Sequence, residues 1–435
     1  MAVAGRKRRT MLSTTLAAMI RGRDRIGRYG TFPHAQGGGR QMTALDGFRV
    51  LDMTQYEAGT SCTQALAWLG ADVVKVESPR GDPGRGPTGN AEYFIVWNSN
   101  KRSVSIDLQQ PRGRQMLLDM LPRYDAFVEN YGPGVMEKLD LGYDVMKAVN
   151  PGIIYARVKG FGLEGPWSDY KCYDMVAQSA AGAFSITGEP DGPPVRPGPT
   201  TGDAGTGVQM ALAITAAYAQ KLRTGKGQHI ELSMQEAMTY YLRTATASTH
   251  FGARPSLRVG NGGRPTMSLY RSRGDGPNDY LFVMAVTHRM WENLCRAMER
   301  PDLLEDPRYA DHAARQENRT ALSAEIAAWV VERDKYEGMR ALCDAGVPAS
   351  AVLDTKDLYE NPHLVGRGFV REVDHPVHGR IKLLGWPARM SESAVPVEPA
   401  PLLGQHSREV VAADLGLAAD AIDELVREGV LTEAS

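Results

Sequence analysis

The residues best suited to chemistry lie in the run Gly198-Pro-Thr-Thr-Gly-Asp-Ala-Gly-Thr-Gly207, which places Asp203 among four glycines. An apolar stretch over residues 208–218 follows and predicts a helix. Small neighbours leave the Asp203 carboxylate accessible to a large reactant, and the free N–H groups of a helix start favour an anion there. The pattern therefore suits a carboxylate nucleophile. Asp and Thr are also ordinary helix N-caps, so Asp203 or Thr206 could simply cap this helix, and the local pattern leaves both interpretations open.

The elements that must position this run alternate from residue 48 onward between β-branched runs and helical stretches. This rhythm predicts an α/β fold with a parallel sheet covered by helices on both faces. The predicted strands are residues 48–54, 71–77, 103–108, 126–130, 153–158 and 229–233, and the helices between and after them are residues 59–69, 112–121, 208–222 and 235–246. Ligands of such sheets bind at the carboxyl ends of strands. The loops expected to matter are residues 54–59, 78–82, 130–134 and 159–165.

The second half of the chain predicts a separate, smaller α+β domain over residues 255–345. It contains a strand at 280–285 and helices at 291–298 and 319–331, whereas residues 252–276 are rich in Gly, Arg and Pro and predict a linker and loop. Short strands follow at 351–353, 370–373 and 381–384, and helices near Val410 and Asp420. We therefore predict a first domain part at 42–250, a small domain at 255–345 and a C-terminal part at 346–435.

The composition limits the kinds of partner that the chain is expected to have. The net charge of −1 in 435 residues argues against nucleic acid or an anionic membrane as the main partner. No apolar run approaches the roughly 20 residues needed to span a membrane. The four cysteines are scattered without metal-binding spacing, which indicates no metal site and fits a reducing cytoplasm. Residues 1–41 are rich in arginine and glycine and lack a convincing targeting pattern, so a disordered extension is expected, with Met42 as a natural start.

The turn after the first predicted strand, Gln55-Tyr-Glu-Ala-Gly-Thr-Ser61, is not GxGxxG, and the chain has no Walker A motif. Phosphate contacts would have to come from scattered basic side chains such as Lys101, Arg102, Lys138 and Lys171. The alternative for each is a solvated surface residue.

Several segments in register resemble the class III CoA-transferase family, also called CaiB/BaiF. They are residues 61–73, 98–103, 128–134, 159–161, 171–178, 187–194, 202–207, 224–228, 233–235 and 401–406. Their order and spacing hold from about residue 44 to 430. The resemblance implies a doubly wound large domain built from both ends of the chain, a small inserted domain and an interlocked homodimer.

The resemblance also implies the site. Asp203 falls on the family's nucleophilic carboxylate, which would exchange CoA between acids through an aspartyl anhydride and an aspartyl-CoA thioester. CoA thioester is then a substrate, and no permanently bound cofactor is implied. The residues expected to contact CoA are Glu57, Ala58, the segment from Ile106 to Gln109, Asn130, Gly132, Lys138 and Lys171. The residues expected at the acyl or acceptor pocket are Tyr93, Tyr173, Gly262 and Gly263.

The chain departs in three places from the family member that was compared most closely. Glu57 replaces a glutamine, Ser78 replaces a CoA-binding arginine, and Gly260-Asn-Gly-Gly263 is a shorter counterpart of that member's glycine-rich acceptor loop. Together these departures put that member's acid substrates in doubt here. Polar pocket candidates favour a small carboxylic or dicarboxylic acid, with acyl-CoA as its partner.

Two alternative functions are considered beside the transferase. The first is an α-methylacyl-CoA racemase, but Tyr173 stands where racemases of this fold have a histidine, and tyrosine is a poor base near neutral pH. The second is a catalytically silent CoA-binding protein, which the intact Asp203 and its glycines disfavour.

Overall fold

The structure, a computed structural model, describes residues 42–434, so the predicted extension over residues 1–41 lies outside the described residues. In chain order the strands are β1 (Arg49–Met53), β2 (Asp72–Glu77), β3 (Arg102–Ile106), β4 (Ala126–Glu129), β5 (Ile154–Lys159), β6 (Gln228–Ser233), β7 (Met267–Arg271), β8 (Tyr280–Met284), β9 (Ala349–Ala351), β10 (Val370–His375), β11 (Gly379–Leu384) and β12 (Leu431–Thr432).

The helices of the described residues lie between and after these strands. In chain order they are α1 (Ala58–Trp68), α2 (Glu92–Asn98), α3 (Pro111–Met120), α4 (Val135–Lys138), α5 (Tyr143–Val149), α6 (Asp174–Ala180), α7 (Thr206–Thr224), α8 (Met234–Tyr241), α9 (Arg243–Ala247), α10 (His288–Ala297), α11 (Asp302–Glu305), α12 (His312–Glu317), α13 (Arg319–Val331), α14 (Lys335–Asp344), α15 (Thr355–Glu360), α16 (Pro362–Gly366), α17 (Ser407–Leu415) and α18 (Ala419–Arg427).

A seven-stranded sheet lies at the centre, in the order β12-β3-β2-β1-β4-β5-β6. Neighbouring strands are parallel except β12, which pairs antiparallel with β3. Side chains alternate between the two faces, as the strand geometry requires. Val50 and Val128 join a core with α1 and α7, whereas Leu51 and Phe127 join a core with α3, α17 and α18. Helices therefore cover both faces, and the predicted α/β fold with a large parallel sheet is confirmed.

Two smaller antiparallel sheets follow the large one. β7, β8 and β9 form a three-stranded sheet, and β10 pairs with β11. The three-stranded sheet has its own apolar core with the surrounding helices, in which Trp291, Leu294 and Ile326 are almost completely buried.

Three sequence predictions are corrected by the structure. The segment 252–276, predicted as linker and loop, contains β7, because Met267–Arg271 pairs with β8 despite its Gly-rich surroundings. The helix predicted at 235–246 is divided at Leu242, whose φ of −89° and ψ of 4° interrupt it. The central sheet is mixed rather than wholly parallel, since the two residues of β12 cover the edge of β3.

Among residues 42–434, no helix is both long enough and apolar enough to cross a membrane.

Candidate active site

The site begins where the strand order reverses, between the carboxyl ends of β1 and β4. β1 is followed in space by β2 and β3 on one side and by β4, β5 and β6 on the other, which opens a crevice at this point. The loops after β1 and β4 are joined across the crevice. The Gln55 backbone N–H donates to Asn130 Oδ1 at 2.8 Å, and Asn130 Nδ2 donates to the Gln55 carbonyl at 2.9 Å.

A close approach of α1 and α7 brings Asp203 to the same crevice. A β-carbon on Gly207 would lie 2.0 Å from Ser61 Oγ and 2.8 Å from the Ala58 carbonyl oxygen. Only glycine therefore lets the first turn of α7 press against the first turn of α1. The chain just before α7, which carries Asp203, is consequently placed beside the start of α1.

Asp203 lies in a single π-helical turn, Thr201–Gly205, that leads into α7. Its backbone N–H donates to Asp174 Oδ1 at 3.1 Å. The residue before α7 is Gly205, which provides no side-chain cap, and the Thr206 hydroxyl donates to the Gly202 carbonyl at 2.5 Å. The capping role considered for Asp203 or Thr206 is therefore wrong, because the π turn supplies the entry to the helix. Within the described chain, no hydrogen bond to the Asp203 carboxylate is found.

A cavity of about 280 Å³ opens onto this carboxylate. Its walls come from the loops after β1, β4 and β5 together with Asp203 and the start of α8. The lining residues are Gln55, Tyr56, Ala58, Asn130, Tyr131, Gly132, Pro133, Val158, Lys159, Gly160, Ser168, Tyr170, Lys171, Cys172, Tyr173, Asp203 and Met234. Three of the four loops expected to matter thus contribute to one cavity.

The electrostatics of Asp203 are unusual for a carboxyl group. Burial, followed by the negative charges of Glu57 and Asp174, raises its pKa to about 7. An aspartate with a strongly raised pKa beside a cavity is a typical sign of a functional group. The backbone amide of Asp203 is anchored to Asp174, whereas its carboxylate accepts no hydrogen bond from the described residues.

Glu57 immediately precedes α1 and its carboxylate is buried, with the residue 2% exposed. Glu57 Oε1 accepts a hydrogen bond from Thr200 Oγ1 at 2.5 Å, and Oε2 accepts one from the Tyr93 hydroxyl at 3.4 Å. Burial raises the pKa of Glu57. Burial and the charges of Glu57 and Asp203 raise the pKa of the Tyr93 hydroxyl. These interactions place Glu57, Tyr93 and Asp203 in one electrostatic neighbourhood.

Cys172 is the second potential nucleophile in the cavity. Burial and then the charges of Asp203 and Asp174 raise its pKa to about 11. The thiol is therefore protonated near neutral pH, and since the thiolate is the reactive form, Cys172 is poorly suited to act as a nucleophile there.

A buried lysine supports the loop after β4. Lys159 Nζ, at the carboxyl end of β5, lies 2.9 Å from the Glu129 carboxylate and donates to the Tyr131 carbonyl at 2.5 Å. The pair fixes the backbone that leads from β4 into the cavity wall. Glu129 also receives a bond from Arg157 Nε at 2.8 Å, so its charge is fully compensated.

A second buried ion pair holds the first turns of α1 against the sheet. Lys101 Nζ lies 2.9 Å from Asp52 Oδ2 and donates to the Thr60 carbonyl at 3.0 Å and to Thr63 Oγ1 at 2.8 Å. Burial alone would raise the pKa of Asp52, but Lys101 and Lys75 lower it below its ordinary value. This network places the start of α1, and with it Glu57 and Ala58, relative to β1.

The structure brings together many of the residues that the sequence predicted for the site. Those on the cavity wall are Ala58, Asn130, Gly132, Lys171, Tyr173 and Asp203. Glu57 and Tyr93 do not line this cavity but contact each other and interact electrostatically with Asp203.

Five other predicted residues lie outside this cavity. The Ile106 side chain is completely buried in the core, and Gln109 is exposed beyond the end of β3. Lys138 is exposed at the end of α4. Gly262 and Gly263 lie on an exposed loop before β7, where the Gly263 carbonyl accepts from Gln316 Nε2 at 2.9 Å. Their contacts with CoA or an acid stay predictions.

Sequence reasoning did not assign Gln55, Tyr56 or Lys159 to the site. Tyr56 adopts a left-handed conformation with φ of 57°, a strain that is common near functional sites, and its ring meets that of Tyr173 edge to face at 6.1 Å. Their position at or just after the carboxyl ends of β1 and β5 was the available signal. Residues 42–434 hold no cluster of histidine, cysteine, aspartate or glutamate suited to a metal ion.

The family model described as CoA-transferase family III matches residues 45–407. The chain belongs to this family. The formyl-CoA:oxalate CoA-transferases of Streptomyces avermitilis and Streptomyces coelicolor are 38% and 39% identical to it over 409 residues, which is 89% of this chain and 99% of each relative. The crystal structure of a CAIB/BAIF family protein from Brucella suis is similar at 30% identity and a TM-score of 0.77, covering 86% of this chain and 99% of that one.

Membership of family III confirms the predicted enzyme class, a CoA-transferase with CoA thioesters as substrates. Asp203 lines the cavity at the crevice between β1 and β4 of this CoA-transferase.

Proposed function

We propose that the chain is an acyl-CoA:carboxylate CoA-transferase that moves CoA to a small carboxylic acid, with Asp203 as its nucleophile. The observation that carries the proposal is the Asp203 carboxylate, which faces the cavity without a hydrogen-bond partner among described residues while its amide is anchored to Asp174. The relatives named formyl-CoA:oxalate CoA-transferase support the reaction class.

The proposed first half-reaction uses no proton donor. A carboxylate oxygen of Asp203 attacks the thioester carbonyl carbon, the C–S bond breaks and CoA leaves as a thiolate, giving a mixed anhydride. The thiolate then attacks the Asp203 carbonyl carbon, the C–O bond breaks and the donor acid leaves as a carboxylate. The enzyme now holds an aspartyl-CoA thioester, which conserves the energy of the original thioester.

The second half-reaction reverses these steps with the acceptor. The acceptor carboxylate attacks the aspartyl carbonyl carbon and CoA thiolate leaves. The thiolate then attacks the acceptor's acyl carbon, which releases the new acyl-CoA and restores the Asp203 carboxylate. Backbone N–H groups at the start of α1 and in the glycine-rich turn before α7 are suited to stabilise the oxyanions.

The lining residues supply binding groups for the CoA end of the substrate. We propose that Ala58, Asn130, Gly132 and Lys171 contact CoA from the cavity wall, and that Tyr173 borders the acyl group. Contacts of Ile106, Gln109 and Lys138 with CoA, and of Gly262 and Gly263 with the acceptor, belong to the same proposal.

Trapping tests the nucleophile directly. Incubation with an acyl-CoA followed by hydroxylamine or borohydride is expected to change the mass of the peptide that contains Asp203. Asp203→Ala is expected to abolish transfer while CoA binding survives. Appreciable turnover of Asp203→Ala would refute the role, and deuterium exchange at the α-carbon without any adduct would favour the racemase alternative.

A homodimer belongs to the proposal as well. α7 exposes an apolar stripe in which Leu212 and Leu222 are 71% and 70% exposed and Val208 is 48% exposed. Neighbouring exposed apolar side chains on one helix face are typical of an interface. Light scattering of the purified chain checks the dimer, and a monomeric mass for an active enzyme would contradict it.

A further inference from the structure

The most informative group that the proposed mechanism does not use is Glu57. Its carboxylate is buried beside the nucleophile and held by two hydroxyl groups, Thr200 Oγ1 and the Tyr93 hydroxyl. Thr200 precedes Asp203 by three residues, so this bond ties Glu57 to the turn that carries the nucleophile. Both hydroxyls donate to Glu57 and so favour its ionised form, but burial has the larger effect and raises its pKa above the ordinary value, so Glu57 is expected to carry its charge at the alkaline end of the neutral range.

The charges around the reacting centre are unbalanced. Three carboxyl groups, those of Glu57, Asp174 and Asp203, interact there. Two lysines line the described cavity, and Lys159 is already committed to Glu129 and the Tyr131 carbonyl. Lys171 is exposed at the cavity wall. The buried cations Lys75, Arg85 and Lys101 are each paired with another carboxylate, so none of these three is left to offset a negative group beside Glu57.

The imbalance persists when the acceptor arrives. At that stage of the proposed reaction Asp203 is joined to CoA as a thioester and has lost its negative charge, whereas Glu57 keeps its negative charge. The acceptor must bring one carboxylate to react. A second carboxylate on the acceptor would be repelled by Glu57, because like charges interact strongly where water is excluded.

We propose that Glu57 determines acceptor specificity and selects acids whose reacting carboxylate is their only anionic group. This inference rests on the proposed transferase function and narrows its acceptor to monocarboxylates. It separates this chain from the Streptomyces relatives, since the oxalate in their names carries two carboxylates.

Matched acids test the inference. With one acyl-CoA donor at pH 8, kcat/KM is measured for malonate against propionate and for succinate against butyrate, pairs of equal chain length. Glu57→Gln keeps the shape of the side chain and removes the charge, and it should raise the dicarboxylate-to-monocarboxylate ratio about tenfold or more. Glu57→Asp keeps the charge and should leave the ratio near the wild-type value. An unchanged ratio in Glu57→Gln would overturn the inference.

A binding measurement keeps the test decisive if Glu57→Gln turns over too slowly. Calorimetric titration of the same acid pairs into the folded variant with CoA present should show a selective gain in dicarboxylate affinity, and equal affinity ratios in variant and wild type would overturn the inference. The hydroxylamine adduct on wild-type Asp203 separates the two proposals. If the adduct forms but the dicarboxylate-to-monocarboxylate ratios do not change in Glu57→Gln, the acceptor inference alone is refuted. If no acyl-CoA gives the adduct, the transferase function and the acceptor inference are refuted together.

Discussion

The backbone amide of Asp203 donates to Asp174 Oδ1 at 3.1 Å, so one acidic residue fixes the main chain of another. Asp174 is itself held by Gln178, whose Nε2 lies 3.0 Å and 2.9 Å from the two Asp174 oxygens. This arrangement anchors the main chain at Asp203 without occupying its carboxylate. It also places a second negative charge nearby, which contributes to the raised pKa of Asp203.

The raised pKa predicts the pH dependence of acyl-CoA turnover. Burial and the charges of Glu57 and Asp174 raise the pKa of Asp203 to about 7, and only the ionised form attacks the thioester. We expect kcat/KM for acyl-CoA to rise about tenfold per pH unit below 7 and to level off above it. Glu57→Gln should move the inflection to lower pH, because one source of the shift is removed. An inflection near pH 4 in the wild type would contradict the assignment.

The raised pKa of Asp203 also predicts that its ionised carboxylate lowers the free energy of unfolding. A carboxyl group whose folded pKa exceeds its unfolded pKa makes the folded state bind more protons, so stability falls as pH rises from about 4 to 7. Asp203→Asn should therefore raise the free energy of unfolding, by on the order of 2 kcal/mol at pH 8 and by less at pH 5. Denaturant titrations at both pH values measure this. An equal effect at the two pH values would show that charge is not the cause.

Gly207→Ala tests the contact that places Asp203. The added methyl group would lie 2.0 Å from Ser61 Oγ and 2.8 Å from the Ala58 carbonyl, so α7 must move away from α1. We expect kcat to fall at least about tenfold and stability to fall by about 1–3 kcal/mol. Gly366→Ala is the matched control, because no atom lies within 4 Å of its new methyl group. Full activity in Gly207→Ala would show that this close approach does not position the nucleophile.

Lys101→Met tests the buried ion pair beneath α1. In the wild type, Lys101 Nζ lies 2.9 Å from Asp52 Oδ2. The substitution removes this cation and leaves the Asp52 carboxylate buried. We expect the free energy of unfolding to fall by about 3–5 kcal/mol. The double variant with Asp52→Asn should recover part of this loss, since the uncompensated charge is then absent. A single-variant loss below about 1 kcal/mol would mean that water or Lys75 compensates Asp52.

The sequence was informative where local pattern decides structure. The strands β1 to β6 and the helices α1 and α7 follow from β-branched runs and helical periodicity. β7 was missed because its Gly- and Pro-rich flanks predict a loop, although pairing with β8 stabilises it. The glycine-rich run around Asp203 predicted an accessible aspartate, and Asp203 lines the cavity.

Contacts between distant segments could not be predicted in the same way. Glu57 and Thr200 are 143 positions apart and bond only because Gly207 allows α7 to approach α1. The pairing of Lys159 with Glu129 depends on the register of β4 and β5. Such relationships are properties of the packed sheet, and no short stretch of the chain contains them.

The antiparallel strand β12 has a consequence for how the protein is made. The edge of β3 is formed early in synthesis, but residues 431–432 that cover it leave the ribosome only after the three-stranded sheet and the β10–β11 hairpin have emerged. Until then the nascent chain presents an unpaired strand edge, a surface prone to association with other chains. Chaperone dependence during translation should therefore be concentrated in the interval between the synthesis of β3 and that of β12.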